Sequence, residues 1–558
     1  MENYIEKLKE FLLSGEFITR EKLNELENIS ATQNIPLTEV LIEYQILKDS
    51  QLGQLISDIC NWQYADLNKE EIDENILKLI PAAVAKKQKV IAFQENEQGI
   101  KVAMESPDNV PIIHLIEKKI GKKVIPYYST KKQITDQFVH YENDLSEDFV
   151  KLIETYKKEG ESDSLENSAV VKMVNLLLKK AFEQNTSDIH FEPMENKSLV
   201  RFRIDGVLHD VIEVPKEFHD LIVTRIKILS NLRTDEHQVP QDGKLEFTNP
   251  SGRIDIRVSI LPTTKGENIV MRLLADKDRH YTLEDLGLSE KDYAKLKNNT
   301  LKPWGMMLVT GPTGSGKTTT LYSILKILNR REVNISTIED PVEYNISGIT
   351  QIQVNPKAKL TFASGLRSIV RQDPDIIMVG EIRDEETADI AVNSAMTGHL
   401  VLSTLHTNDA PTSLPRLLEM GIDPFLVTST VNVIIAQRLL RKICMHCIQS
   451  KKTLKSEVEN KLPKHLIEKI FKDKDEALLY SGKGCKICKD TGYDGRIGVF
   501  EILELTEDIR ALIISKASSE KIKKEAIKNG MTTMLDDAME KALNGVTTIE
   551  EIIRVVRN

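Results

Sequence analysis

Met306-Met-Leu-Val-Thr-Gly-Pro-Thr-Gly-Ser-Gly-Lys-Thr-Thr-Thr320 is the stretch on which the reading of this chain turns. Met306 to Val309 form a short apolar run, the pattern of a buried strand. Gly311-x4-Gly316-Lys317-Thr318 follows and opens a helix. This is a phosphate-binding loop in its strand–loop–helix setting. The glycines let the backbone curl until several N–H groups point at phosphate oxygens, and the helix N-terminus adds partial positive charge. Lys317 then reaches the β- and γ-phosphates, and Thr318 offers its hydroxyl to Mg²⁺. Gly311, Pro312, Thr313, Gly314, Ser315, Gly316, Lys317, Thr318 and Thr319 are the expected nucleotide cradle. Leu321, Ile324, Leu325 and Leu328 follow at i, i+3, i+4 and i+7, the stripe of a helix packed on a sheet.

Downstream, three more strand patterns end in polar groups. Asn334-Ile-Ser-Thr-Ile-Glu-Asp-Pro341 delivers Glu339 and Asp340 at the end of a β-branched run. Ligands of open α/β sheets sit at the C-terminal ends of the strands, so Glu339 is placed to activate the attacking water. Asp375-Ile-Ile-Met-Val-Gly-Glu381 has the form of a metal-supporting acidic strand, with Glu381 as the carboxylate. Gly398-His-Leu-Val-Leu-Ser-Thr-Leu-His-Thr407 carries His399 and His406, both expected to sense the γ-phosphate, although a lone histidine is more often a packed or surface residue.

Of five cysteines, four form two CxxC pairs, Cys444 with Cys447 and Cys485 with Cys488. Two such knuckles complete a tetrahedral zinc site of four thiolates, structural because it leaves no open position. The long segment between the pairs predicts a small subdomain, at about 440–492, closed by the metal. Cys60 reads as an ordinary buried small residue.

At 558 residues, with 41% hydrophobic and 29% charged residues, the chain reads as a soluble protein of several domains. No apolar run reaches the ~20 residues that span a bilayer, and the charged N-terminus lacks a signal-peptide core. A cytoplasmic location follows, with membrane contact only through partners. A net charge of −10 disfavours a general nucleic-acid binder. Residues 1–150 mix amphipathic helices with short strands, and 151–167 read as a polar linker. Residues 168–290 form a second, α+β domain that ends near the charged break Asp276–Arg279. Its strands include Leu199–Ile204, closed by Asp205-Gly206, then Arg253–Ile260 and Asn268–Leu274. Arg257 and Arg272 lie on the last two. By pattern alone, sheet arginines of this kind are solvated or paired. Residues 291–558 form the P-loop domain.

Together, Gly311–Thr318, Thr337–Glu343, Leu366–Asp375, Val379–Arg383 and Gly398–Thr407 resemble the secretion ATPase family that drives type IV pilus assembly and type II secretion. Ser187-Asp-Ile-His-Phe-Glu-Pro193, Arg203–Gly206, Pro240–Gly243 and Arg257–Ser259 match its second N-terminal domain. The resemblance implies a homohexameric ring of RecA-like motor domains, each preceded by a PAS-like α+β domain and a mostly helical docking domain. It implies ATP and Mg²⁺ as ligands and an inner-membrane platform protein as partner. It places Arg257 and Arg272 where they reach a neighbouring subunit's nucleotide, with Arg367 and Arg371 as further arginines of less defined role. The four cysteines and the extra N-terminal domain resemble the pilus-extension and type II secretion motors. Pro36–Ile59 keeps the apolar spacing of a cyclic di-GMP motif, but it lacks the Arg-Leu-Gly start and has Ile59 where glutamine stands. Binding of that messenger is therefore not expected. A pilus-assembly motor is the leading expectation and a type II secretion motor the alternative. A nucleic-acid translocase or a non-hydrolysing scaffold fits less well.

Overall fold

The protein is described from a computed structural model, which covers all residues except 1, 16–17, 34–35, 44–45, 71, 142–144, 160–168, 250–251, 275–281, 460, 473 and 557–558. The charged break Asp276–Arg279 and residues 160–167 of the expected linker lie outside the described residues, as do two positions of the Pro36–Ile59 stretch. Contacts divide the chain into two units, one including Met1–Asp144 and the other including Leu145–Lys483 and Gly492–Asn558. Among the described residues, no helix is long and apolar enough to cross a membrane.

In the smaller unit, helices Glu2–Ser14, Leu37–Glu43 and Asp49–Cys60 bury Leu8, Leu12, Leu41 and Leu52 in one cluster. A second cluster lies around strands β1 (Val90–Asn96), β2 (Gly99–Met104) and β3 (Val124–Tyr128). β1 runs antiparallel to β2 and β3 parallel to it.

The larger unit opens with the helix Leu145–Glu159. The expected linker is therefore helical up to residue 159. Phe149, Leu152, Ile153 and Tyr156 recur at helical spacing and pack into the core of the second domain. That core is a six-stranded antiparallel sheet in the order β6-β5-β4-β9-β8-β7. The strands are β4 (Asp188–Pro193), β5 (Lys197–Ile204), β6 (Val207–Pro215), β7 (Gln241–Asn249), β8 (Gly252–Thr263) and β9 (Gly266–Leu274). Helices Ala169–Glu183 and His219–Leu229 cover one face and bury Val174, Leu178, Ile222 and Ile226 against Ile189, Phe202, Val258 and Met271. The Asp205-Gly206 turn joins β5 to β6 with φ of 48° and 83°, the left-handed pair that a two-residue hairpin turn requires.

The P-loop domain holds a seven-stranded sheet in the order β12-β11-β13-β14-β10-β15-β18. Its strands are β10 (Gly305–Thr310), β11 (Ile335–Glu339), β12 (Thr350–Gln353), β13 (Ile376–Val379), β14 (Leu400–Leu405), β15 (Val431–Ile443) and β18 (Tyr493–Glu504). All pair in parallel except β18, which runs antiparallel to β15. Both faces are covered, as parallel sheets demand. Met306 and Leu308 face one core, Met307 and Val309 the other. Leu283 and Leu286 lie in the second of these cores, so the domain begins before residue 291. Between β15 and β18 sits a hairpin of β16 (Ile448–Leu454) and β17 (Glu476–Gly482). The two domains of this unit touch where Asp205 Oδ2 accepts from Gly495 N at 2.9 Å and where Arg257 reaches Val342 and Glu343.

Candidate nucleotide site and cysteine cluster

β10 ends in the loop Gly311–Gly316, and the helix Lys317–Leu328 starts on Gly316 at φ 90°. The loop is folded so closely on β15 that a Cβ on Gly311 would meet Gln437 O at 2.4 Å, and one on Gly316 would meet Gln437 Nε2 at 2.8 Å. Only glycine fits such approaches. Gln437 is buried and its Oε1 accepts from Thr320 Oγ1 at 2.6 Å, so one residue lies against both ends of the loop, by its carbonyl at Gly311 and by its side chain at Gly316. Ser315 Oγ is buried without a hydrogen-bond partner, as fits a cradle built for phosphate oxygens. Lys317 Nζ donates to Gly311 O at 2.9 Å and Pro312 O at 3.0 Å. Burial pushes its ammonium below the ordinary value, and the Glu381 charge offsets part of this. The Thr318 hydroxyl is on an exposed residue beside the loop, where it can bind Mg²⁺.

Glu339 closes β11 and is 3% exposed. It accepts from Tyr322 Oη, from Thr337 Oγ1 at 2.6 Å and from Gln351 Nε2 at 3.2 Å. Tyr322 comes from the P-loop helix, so the base candidate is tied to the phosphate cradle by one hydrogen bond. Burial and the neighbouring Glu339 charge raise the Tyr322 phenol well above its usual range, which keeps it a donor. Tyr344 packs edge-on against Tyr322 with ring centroids 4.7 Å apart.

Just past β13, Glu381 pairs with Arg383 at 2.7 Å and lies 2.9 Å from His406 Nε2. His406 follows β14, whose Leu405 is level with Thr310 at the mouth of the P-loop. Thr310 Oγ1 donates to Leu405 O at 3.1 Å and accepts from Thr407 N at 3.0 Å. Glu339, Glu381, His406 and the P-loop thus share the C-terminal edge of the sheet.

His399 does not join them. β14 and β10 are parallel with Leu400 level with Gly305, and His399 O accepts from Gly305 N at 3.1 Å. That puts His399 at the opposite edge, about 20 Å from the loop over roughly six strand steps. Its Nδ1 lies 2.8 Å from Ser394 O in the helix-to-strand turn. The two expected γ-phosphate sensors thus separate: within one chain His406 lies at the P-loop edge, and His399 is a turn residue at the opposite edge.

The arginines are held in cis. Arg257 donates to Val342 O at 3.0 Å and pairs with Glu343 at 3.2 Å, just beyond the Glu339 strand, although their distance in sequence gives no hint of it. Arg272 is gripped by Asp188 at 2.9 Å. Arg367 pairs with Glu386, and Arg371 donates to Ser368 Oγ at 3.3 Å. Sequence reasoning missed Tyr322, Gln351 and Gln437. A single amide in the apolar run Val433-Ile-Ile-Ala-Gln437 was the one signal available.

The four thiol sulfurs of Cys444, Cys447, Cys485 and Cys488 lie within 4.8 Å of one another. A tetrahedral zinc with Zn–S near 2.3 Å needs sulfurs about 3.8 Å apart. Cys485 Sγ and Cys488 Sγ are 3.7 Å apart, so the set fits the metal. The long gap is resolved by β16–β17, which pairs Ile448 with Gly482 and so returns the chain to the first knuckle.

The sequence model of the family described as "Type II/IV secretion system protein" matches residues 163–554, and that of the MshEN domain matches residues 61–148. The chain is 38% identical over 562 residues to the "Type IV pilus assembly ATPase PilB" of Myxococcus xanthus, covering 98% of each chain. It is 38% identical over 495 residues to the "Type II secretion system ATPase E" of Vibrio cholerae, covering 88% of this chain and 94% of that one. Among solved structures, the Yersinia pseudotuberculosis ATPase DotB aligns with a TM-score of 0.50 at 20% identity, over 69% of this chain and 92% of that one. That likeness is one of fold.

Proposed function

The chain belongs to the Type II/IV secretion system protein family, and from that premise we propose that it is a motor ATPase driving type IV pilus assembly. The observation that carries the reading is the shared edge of the sheet: P-loop, Glu339, Glu381 and His406 converge there. Similarity over 98% of both chains to a pilus assembly ATPase, N-terminal unit included, supports the cargo. The 38% identity to a type II secretion ATPase makes that cargo the second reading.

The P-loop amides and Lys317 hold the β- and γ-phosphates, which requires the lysine to leave its own loop carbonyls. Thr318 and Glu381 would hold Mg²⁺, which when bound would neutralise phosphate charge. Glu339 takes the proton of the attacking water once the Tyr322 hydroxyl gives it up. His406, fixed by Glu381, reports the γ-phosphate to β14. Arg257 and Arg272 serve the nucleotide of a neighbouring subunit in a homohexamer. The cysteines hold one structural zinc. The motor works at the inner face of the cell membrane through a platform protein and without direct nucleic-acid contact.

ATP turnover of the purified chain, measured alone, with single-stranded DNA and with the cytoplasmic part of a platform protein, tests this. Stimulation by the platform part and indifference to DNA are expected. Stimulation by DNA alone would replace the reading with a translocase. Loss of surface pili with normal exoprotein release in a deletion strain separates the two cargoes, and the reverse outcome makes the chain a secretion motor.

A further inference from the structure

One transverse row on the polar face of the six-stranded sheet has a charge pattern that folding alone does not explain. Lys244 is level with Arg257, Arg257 with Arg272, Arg272 with Asp188, and Asp188 with Arg203. The row holds four cations and one carboxylate, which lies between Arg272 and Arg203. Like charges directly opposite one another are destabilising, and Arg257 faces Arg272. The carboxylate between Arg272 and Arg203 is the neutralising element, and it is built in firmly. The Asp188 side chain is 8% exposed. Ser187 Oγ donates to its Oδ2 at 2.9 Å, and main-chain bonds from Ser187 N to Arg203 O and from Leu273 N to Ser187 O, both 2.9 Å, fix the strand on either side.

How Asp188 holds its two arginines differs. Arg203 sits 3.5 Å away through Nε and donates from Nη1 to Gly206 O at 3.2 Å, in its own hairpin. Arg272 donates Nε to Asp188 Oδ1 at 2.9 Å, and its side chain is 57% exposed. Among the described residues no partner takes its two terminal nitrogens. A guanidinium is rigid and planar, so a grip on Nε sets the plane and leaves the outer fork to meet an anion. Arg257 has a separate anchor in Val342 and Glu343.

We propose that Asp188 is a positioning residue for Arg272: it aims the outer edge of that guanidinium at the phosphate of a neighbouring subunit's ATP. The inference rests on the reading of Arg272 given above. Asp188 touches no substrate and acts through the arginine. Misplacing a catalytic group by about 1 Å can cost roughly 10²-fold, and this is the loss in kcat expected for Asp188→Ala, with the KM for MgATP little changed.

The test is steady-state MgATP turnover of the full chain as wild type, Asp188→Ala, Arg272→Ala, Arg203→Ala, and the combinations of Asp188→Ala with each arginine variant. The kcat loss from Asp188→Ala should persist in the Arg203→Ala background and vanish in the Arg272→Ala background, because removing a positioning group costs nothing once its client is gone. If Arg272→Ala turns over at the wild-type rate, the reading of Arg272 itself falls. If Arg272→Ala is slow while Asp188→Ala is not, or if Asp188→Ala costs the same in every background, the arginine stands and the positioning inference falls. If the loss vanishes with Arg203 instead, Asp188 serves that residue and the inference also falls. Should Asp188→Ala fail to fold, Asp188→Asn replaces it. Asn offers Nε a neutral acceptor in place of a charge-assisted one, so its hold on the guanidinium is weaker; a smaller kcat loss that disappears with Arg272→Ala is expected, and an unaltered kcat overturns the proposal.

Discussion

Lys317 and Glu339 are each held by the protein itself, the lysine by its loop carbonyls and the glutamate by Tyr322, Thr337 and Gln351. For the lysine to reach a phosphate its loop carbonyls have to give way, and for the glutamate to reach a water the Tyr322 hydroxyl does. Lys317→Ala removes the main side-chain charge on the phosphates and is expected to abolish ATP turnover while far-UV circular dichroism stays that of wild type. Glu339→Gln keeps the size and much of the hydrogen bonding of the group. ATP binding should survive while turnover drops roughly 10²-fold or more, the scale of a general base. Measured beside it, Glu381→Gln decides the assignment: near-normal turnover in Glu339→Gln with a collapse in Glu381→Gln would move the base to Glu381. His399→Ala, at the far edge of the sheet, should leave turnover close to wild type, whereas His406→Ala should not.

Two elements are fastened by clusters that can be unfastened selectively. The helix Ile549–Val556 is tied to β15 by Glu551, which pairs with Arg441 at 2.8 Å and with Arg554 at 2.6 Å. Burial alone would raise the Glu551 carboxyl, but hydrogen bonds from Arg554 and Arg441 outweigh it and bring it from 4.5 to about 2. A depressed carboxyl stabilises the fold fully above its unfolded value. That contribution is lost as pH falls from about 4.5 towards 2. Thermal melts across this window should show a steeper decline for wild type than for Glu551→Gln. The variant should be less stable at neutral pH by roughly 3 kcal/mol or more, the cost of breaking a buried pair. The β16–β17 hairpin depends on the cysteines at its base. Metal analysis of protein purified without chelators should find one zinc per chain. Chelation should speed amide exchange across about 440–492 before it reaches the P-loop helix, and protein free of zinc would refute the site.

At the scale of the whole molecule, Arg257 and Arg272 are predicted to make hydrolysis depend on assembly. An arginine that completes a neighbour's site contributes about 10³–10⁵-fold in other nucleotide hydrolases. Specific activity should therefore rise with protein concentration as subunits associate. Arg272→Ala mixed with Lys317→Ala should recover part of the lost turnover, because some mixed interfaces join an intact loop to an intact arginine. Full-rate hydrolysis by dilute monomers, or no recovery in mixtures, would make both arginines structural in cis. The contacts of Arg257 with Val342 and Glu343, and of Arg272 with Asp188, would then be their whole purpose.

Spacing along the chain was enough for what rests on local chemistry. The P-loop glycines, the two CxxC pairs, the alternating strands of the second domain and the Asp205-Gly206 turn each obey a rule that spans a few residues, and each is found in the structure. Register and strand direction belong to the sheet as a whole. They separate His399 from His406, which flank the same strand at its two ends. Strand polarity held the clue, since His399 precedes its apolar run while the P-loop follows one. The register also sets Arg257, Arg272, Asp188 and Arg203 in one row, although 84 residues separate Asp188 from Arg272. Tyr322 and Gln437 look like ordinary members of an apolar helix and strand until packing shows what they touch. Residues 151–159 read as linker until the few apolar side chains of the helix Leu145–Glu159 meet the sheet that buries them. Such features depend on which distant residues become neighbours, and only tertiary packing decides that.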